Sequence, residues 1–368
     1  MSNITTKKKS ASTIIFGIFK VLFIVITVVA SAFALMFGTG EVESFNQNEA
    51  LSVKPEGEVI DLSELLASYE GHDFSTVLEE AGEEEIVSYI SENGSAEDII
   101  HLCYALYNTA NLNYKEVNAC AYEVNSLTSV VTAGLEAPVN GYRYCLKSGE
   151  EYFFTEYSIP PEDSTMGAIM GSFVAESSNF ARRQYGTVEM TQLVEQKTLK
   201  PKHTLSDGKH LFEADWSKAT TNKYVDLPIF CASQEDDYSY TDIVINTNTI
   251  SSANLSYDAV QGVYTMDLTL DCTKYETTKN TIKNVRDSSG CRDAVYTSIS
   301  EKIKIWDNGY FKYFLSVDNW QGTGGTGNMT STINFETNFF YDEEHLSLSN
   351  YQYGDEFKEL VNSPSFWS

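Results

Sequence analysis

Carboxylates are the side chains most available for chemistry in this chain: 52 Asp and Glu in 368 residues, with local runs at Asp236-Asp237 and Asp342-Glu343-Glu344. Two carboxyl groups can act as general acid and base on a glycosidic bond when burial raises one pKa and their separation is fixed. A chain this acidic supplies neighbouring carboxylates by coincidence. Both runs fall at expected turns, where solvation is the ordinary outcome and weak calcium binding the minor one. A hydrolase acting on glycan with carboxylates near Trp216, Trp306 or Trp320 therefore stands as the alternative reading.

Other candidates carry less. The five histidines, His72, His101, His203, His210 and His345, include no H-x-x-x-H pair, so no metal site and no cofactor is assigned. Tyr275 and Lys279 have the Y-x-x-x-K spacing of some dehydrogenases, but no dinucleotide fingerprint accompanies them. "GTGGTGN" at 322–328 looks like a phosphate cradle until its flanks are read. A cradle needs a helix behind it, and "MTSTINFET" alternates as a strand, so the glycines belong to a hairpin loop. No catalytic residue is assigned.

Six cysteines lack any C-x-x-C spacing, which argues against zinc knuckles and thioredoxin-type redox chemistry. Outside the cell they could form three bridges, and Cys272 with Cys291 is the pair to test first. Buried thiols acting as small hydrophobes are the equal alternative.

The elements that must position any site show better. "SAEDIIHLCYALYNTANL" reads as an amphipathic helix capped by Ser95, with Ile99, Leu102, Cys103 and Leu106 at helical spacing. Strands follow at "GYRYCLKSGEEYFFTEYSI", "ISSANLSYD" and "GVYTMDLTLD", and "KYETTKNTIKNVRD" interrupts as a helix. "KIKIWDNGYFKYFLSVDNW" folds as a hairpin about Asp-Asn-Gly, with Ile303 and Ile305 sharing one face of the first arm. Simple alternation places Phe311, Tyr313, Leu315 and Val317 on one face of the second, and Phe335 and Phe339 inward on the strand after it. The fold class is α+β: a curved antiparallel meander packed on one face by helices, the other face wet. The aromatic row Phe311, Tyr313, Leu315, Phe335 and Phe339 either meets the protein's own helices, the ordinary fate of such stripes, or leaves room for an apolar ligand.

The chain's ends differ in charge. Lys7, Lys8 and Lys9 precede an apolar run from Thr13 to Phe37, 25 residues in which Lys20 is the only charge. As a helix rising roughly 1.5 Å per residue, this run spans a hydrocarbon core of roughly 30 Å. The lysines set residues 1–12 as a cytoplasmic tail and everything after the anchor outside, a single-pass arrangement in the cell membrane. Cleavage at Ala30-Ser31-Ala32 or Ala32-Phe33-Ala34 is the competing reading, and it leaves the body outside as well. Net charge is −27. Beyond residue 40 there are 21 basic against 52 acidic groups, or −31, which disfavours nucleic acid as a partner. Residues 38–95 are expected to form an acidic stalk with short helices at "DLSELLASY", capped by Asp61 or Ser63, and "FSTVLEEAGEEEIVSYISENG". Residues 96–368 form the body, with a division into halves at 96–222 and 223–368 left open.

With "ALYNTANLNYKEV", "TDIVINTNTISSANLSYD" and "GVYTMDLTLD", the chain resembles uncharacterised single-pass surface proteins of low-GC Gram-positive bacteria, a likeness that implies no activity. The helix-and-sheet layout is distantly similar to LolA/LppX-type lipoprotein carriers. That resemblance implies a curved sheet cupping acyl chains, and no residue carries over from it. The leading expectation is a non-catalytic binding or envelope-support protein holding an apolar small molecule. A protein-interaction module, using the acidic stalk or the Gly322–Gly327 loop against a basic partner, is a further alternative.

Overall fold

A computed structural model describes residues 49–82, 86–132, 135–149, 151–159, 180–185, 188–193, 216–218, 243–278, 281–289, 291–324, 327–351 and 354–362. The chain enters as an extended strap, residues 49–60, then forms α1 (Leu62–Ala67), α2 (Ser75–Glu80), α3 (Ile86–Asn93) and α4 (Ala96–Glu116). Six strands follow: β1 (Ala119–Thr132), β2 (Leu135–Ser148), β3 (Glu151–Ile159), β4 (Phe180–Tyr185), β5 (Val188–Leu193) and β6 (Trp216–Lys218). Next come β7 (Ile250–Asp258), β8 (Val263–Leu270), α5 (Tyr275–Thr278), α6 (Thr281–Ser289), β9 (Val295–Trp306), β10 (Phe311–Gly324), β11 (Gly327–Phe340) and α7 (Gly354–Asn362).

The strands make one open sheet in the order β6-β5-β4-β3-β2-β1-β11-β10-β9-β8-β7, each neighbour antiparallel. The α+β meander is thus as expected. It consists of two runs of strands consecutive in sequence, β1–β6 and β7–β11, zipped together along β1 and β11.

The helices start where their caps place them. Asp61 accepts from the Glu64 amide at 3.0 Å. Ser95 and Asp98 form a reciprocal capping box at the head of α4, satisfying amide donors that would otherwise be orphaned. The inner stripe of α4, Leu102, Cys103, Leu106, Tyr107, Ala110 and Tyr114, is buried against the sheet. Leu62, Leu66, Phe74, Val77, Ile86, Val87 and Ile90, from α1 to α3 and the turn before α2, belong to the same core. The helices expected in the acidic stretch 38–95 therefore exist, and from α1 onward their apolar stripes join the core shared by α4 and the sheet.

The opposite face of the sheet is wet only in part: Asp267, Thr269, Ser298 and Ser300 of β8 and β9 are exposed on it, as expected, but elsewhere it is covered. The strap runs across it: the Ala50 amide donates to Asn338 Oδ1 at 2.9 Å, and Asn308 Nδ2 donates to the Pro55 carbonyl at 2.7 Å. Glu49 takes Lys304 and Lys312 together. Nearer β2 and β3, Leu348 and Tyr351 close a second apolar cluster over Ala121, Leu146, Phe153 and Phe340.

The candidate span 13–37 lies outside the described residues. Among the described residues no helix is long and apolar enough to cross a membrane.

Candidate functional site

The β9–β10 hairpin turns through Asp307 to Tyr310, with Gly309 at φ +81°. A Cβ there would come within 2.6 Å of Asn113 Nδ2, whose amide donates to the Gly309 carbonyl, so the turn docks on α4 only with glycine. Immediately beyond, the register shifts: Phe311 faces Ile305 while Tyr313 faces Lys304. This bulge around Lys312 overturns the simple alternation read from the sequence. One extra residue flips every later side chain to the other face. Phe311 and Phe314 point to the helix side with Ile303, Ile305 and Phe339, whereas Tyr313 and Leu315 point away from it.

The five residues singled out for an apolar ligand are therefore not one surface. Phe311 and Phe339 stack on each other at 5.2 Å, and Tyr114 of α4 meets both edge-on. These rings are fully buried protein core. Phe335 lies on the same side, half-buried, with the Arg143 guanidinium 5.5 Å from its ring centre. On the far face the Tyr313 hydroxyl donates to the buried Glu336 carboxylate at 2.7 Å, and Leu315 is buried.

Moving along β9 away from the turn, the inward stripe reads Ile305, Ile303, Glu301, Ile299. Glu301 is 2% exposed. Its register partner on β10 is Ser316, and Asp318 is the next inward residue of that strand. Ser316 Oγ lies 2.9 Å from Glu301 Oε1 and 2.9 Å from Asp318 Oδ1. A hydroxyl has one hydrogen to donate, so both contacts are hydrogen bonds only if one carboxyl is protonated and donates to Oγ. Burial, reinforced by the neighbouring Asp318 charge and opposed by the Ser316 hydrogen bond, pushes the Glu301 carboxyl well above its ordinary range. Burial likewise pushes half-buried Asp318 up to about 7, against the Ser316 hydrogen bond. Glu301, Ser316 and Asp318 accordingly share one proton along a hydrogen-bonded row, and Asp318 titrates near neutrality.

Glu301 Oε2 is buried with no hydrogen-bond partner. Two more buried hydroxyls on the same face, Ser331 Oγ and Thr337 Oγ1, also lack partners. Their register places Thr337 beside Phe314 and Ser331 beside Trp320, flanking the carboxyl pair along β11. Next to the pair, β11 presents Phe335 and Ile333, and β1 presents Ser126 and Thr128, all half-buried. The result is a polar patch set into an apolar wall whose cover thins from β10 towards β1.

The remaining candidates disperse. Cys272 and Cys291 are not bridged; Cys291 Sγ sits 3.2 Å from Met329 Sδ instead, and burial raises the Cys272 thiol. Trp306 and Trp320 are buried at 6% and 4% exposure, so neither offers a face for a sugar. The Trp216 side chain, Lys279, His203, His210 and Asp236-Asp237 lie outside the described residues. Asp342 caps its own turn by accepting from the His345 amide at 3.1 Å. Gly324 faces Gly327 across the β10–β11 hairpin, as expected of a hairpin loop. Among the described residues no group of three or more His, Cys, Asp or Glu side chains is placed to hold a metal.

Sequence reasoning missed Glu301, Ser316 and Asp318. The signal for Glu301 was present, since it interrupts the stripe Ile299, Ile303, Ile305 with an acid at an inward parity. Asp318 was hidden by the bulge, which makes parity along β10 unreadable without the register.

No family model matches the chain, and no curated protein does. Among solved structures it is similar to a domain described as an outer membrane lipoprotein-sorting protein from Vibrio parahaemolyticus, at 10% identity and a TM-score of 0.21 over 70% of this chain and 99% of that one. A LolA superfamily protein from Nitrosomonas europaea aligns at 8% identity and a TM-score of 0.20, over 65% and 93%. A DUF1329 family protein from Desulfovibrio piger aligns at 10% and 0.18, over 67% and 98%. At these scores only the residues of the chain itself bear on its function.

Proposed function

We propose that the protein is a non-catalytic binding protein, anchored in the cell membrane through residues 13–37 with its body outside, that holds an apolar molecule on the helix side of its sheet. The polar end of that molecule meets Glu301, Ser316 and Asp318. The observation that carries this reading is Glu301 Oε2, buried and unpartnered in an apolar wall. Leaving such an acceptor unpaired costs on the order of 1–3 kcal/mol, a cost that a donor on the ligand would remove. Half-buried Ile333 and Phe335 beside it supply apolar contact. The lysines ahead of an apolar run support the location.

The test is fluorescence titration of the full chain in nanodiscs with N-phenyl-1-naphthylamine, compared with Phe335→Glu and with empty discs. Saturable binding of one probe per chain, lost in the variant while its thermal unfolding stays cooperative, is the expected result. No saturable component above the empty discs, or equal binding in the variant, would overturn the reading.

A further inference from the structure

Resting on that reading, we infer that the polar end of the ligand is a protonated amine, bound by Glu301 and Asp318 across the Ser316 hydroxyl. Three observations lead there. First, the carboxyl oxygens at this point accept hydrogen bonds: Glu301 Oε2 is an unpartnered acceptor, and Asp318 is a half-buried carboxylate with one oxygen on Ser316. A ligand that brings only acceptors, such as a carboxylate or a phosphate, adds to the deficit. Second, no Lys, Arg or His among the described residues pairs with either carboxyl. Lys302 and Lys304 alternate to the opposite face, where Lys304 engages Glu49. Once Asp318 ionises, the pair carries one negative charge with no cation paired to it, and an ammonium neutralises that charge. Third, the oxygens lie together, Glu301 Oε1 and Asp318 Oδ1 each 2.9 Å from Ser316 Oγ, and an ammonium has three N–H donors to distribute.

A divalent cation fits less well. Calcium takes six to eight oxygen ligands, and two carboxyls with one hydroxyl form no metal-binding group here.

The amine brings a distinct pH signature. Asp318 must be ionised to bind it, and an alkylammonium, like a lysine, stays protonated to about pH 10. Affinity therefore rises with pH through neutrality; a ligand that accepts hydrogen bonds from the protonated pair shows the opposite slope. The other titratable groups on neighbouring elements are the Cys272 thiol after β8, the Cys291 thiol before β9, Arg286 of α6 and Arg143 of β2. Arg286 donates to the Ala294 carbonyl and Arg143 lies over Phe335.

The experiment is isothermal titration calorimetry of the full chain in nanodiscs, at pH 6 and pH 8, with octylammonium, octyltrimethylammonium, octanol and octanoate, each corrected with empty discs. Octylammonium is expected to bind once per chain, about tenfold more tightly at pH 8 than at pH 6. Octyltrimethylammonium, lacking N–H donors, should bind at least tenfold more weakly. Asp318→Asn should weaken octylammonium and flatten its pH dependence. The pH dependence is measured on the unaltered protein, so a variant that fails to fold does not remove the test. Octanoate binding most tightly, affinity falling as pH rises, or calcium binding in preference to the amine would overturn the inference. Octanol equal to octylammonium at both pH values would overturn the amine while leaving the apolar site standing. Failure of all four would end both.

Discussion

The two ends of the inner face of β9 and β10 are built from the same alternation, yet they solve burial differently: the turn end is fully buried, whereas Asp318 at the other end is half-buried. Near the turn, Ile303, Ile305, Phe311 and Phe314 meet Phe339 and the rings of α4, with no polar atom on the stripe. A few residues along, Glu301, Ser316 and Asp318 occupy equivalent inward positions with one hydroxyl between two acids. The first end is what folding demands of a sheet face. The second costs folding energy, and the difference separates residues kept for the core from residues kept for something the core must meet.

If the turn end is pure core, Phe311→Ala should be the most damaging single change. A cavity among Tyr107, Tyr114 and Phe339 is expected to cost about 3–5 kcal/mol in urea unfolding. A loss under about 1 kcal/mol would mean that this end is also loose.

The polar end should show its character through pH. A carboxyl whose pKa is raised in the folded state keeps a proton that the unfolded chain has already released between about pH 4 and pH 7. Stability therefore falls as pH rises through that window, by up to about 1.4 kcal/mol per pH unit for one group. Asp318→Asn should be less steep than the unaltered protein between pH 5 and pH 7, measured by unfolding at each pH. Identical slopes would contradict the environment described for Asp318.

Glu301→Leu sharpens the contrast by sign. Whereas truncation at Phe311 destabilises, removing an unpartnered buried acid in favour of an apolar side chain should be neutral or stabilising, by about 1–2 kcal/mol at pH 7. Strong destabilisation would place Glu301 with the structural residues. The smallest effect belongs to Thr337→Val, which removes an unpaired hydroxyl at nearly constant volume; a change within about 1 kcal/mol, and not unfavourable, is expected by thermal melting.

Much of this architecture is legible in the chain. Ser95 with Asp98, the α4 stripe and the alternation of β8 follow from caps and periodicity that local physics dictates. The Asp307-Asn308-Gly309 turn is legible for the same reason. What stayed hidden is long-range. The bulge at Lys312 arises from pairing with β9 and divides Phe311 from Tyr313 and Leu315, which no pattern along one strand reveals. The acidic composition of residues 38–95 suggested a solvated stalk, but Leu62, Leu66, Phe74 and Val77 bury one side of short helices while the acids face out. Cover of the second sheet face by the strap depends on single contacts such as Glu49 with Lys304 and Lys312, which carry no local signature.

The central claim is that the carboxyl pair is reserved for a ligand. Native mass spectrometry of the full chain, released directly from the producing membrane and compared with Glu301→Leu, tests it most directly. One apolar, amine-bearing molecule per chain, absent from the variant, is the predicted result. A bare protein in both preparations, with Glu301→Leu less stable than the unaltered chain, would contradict the account and return Glu301 and Asp318 to the core.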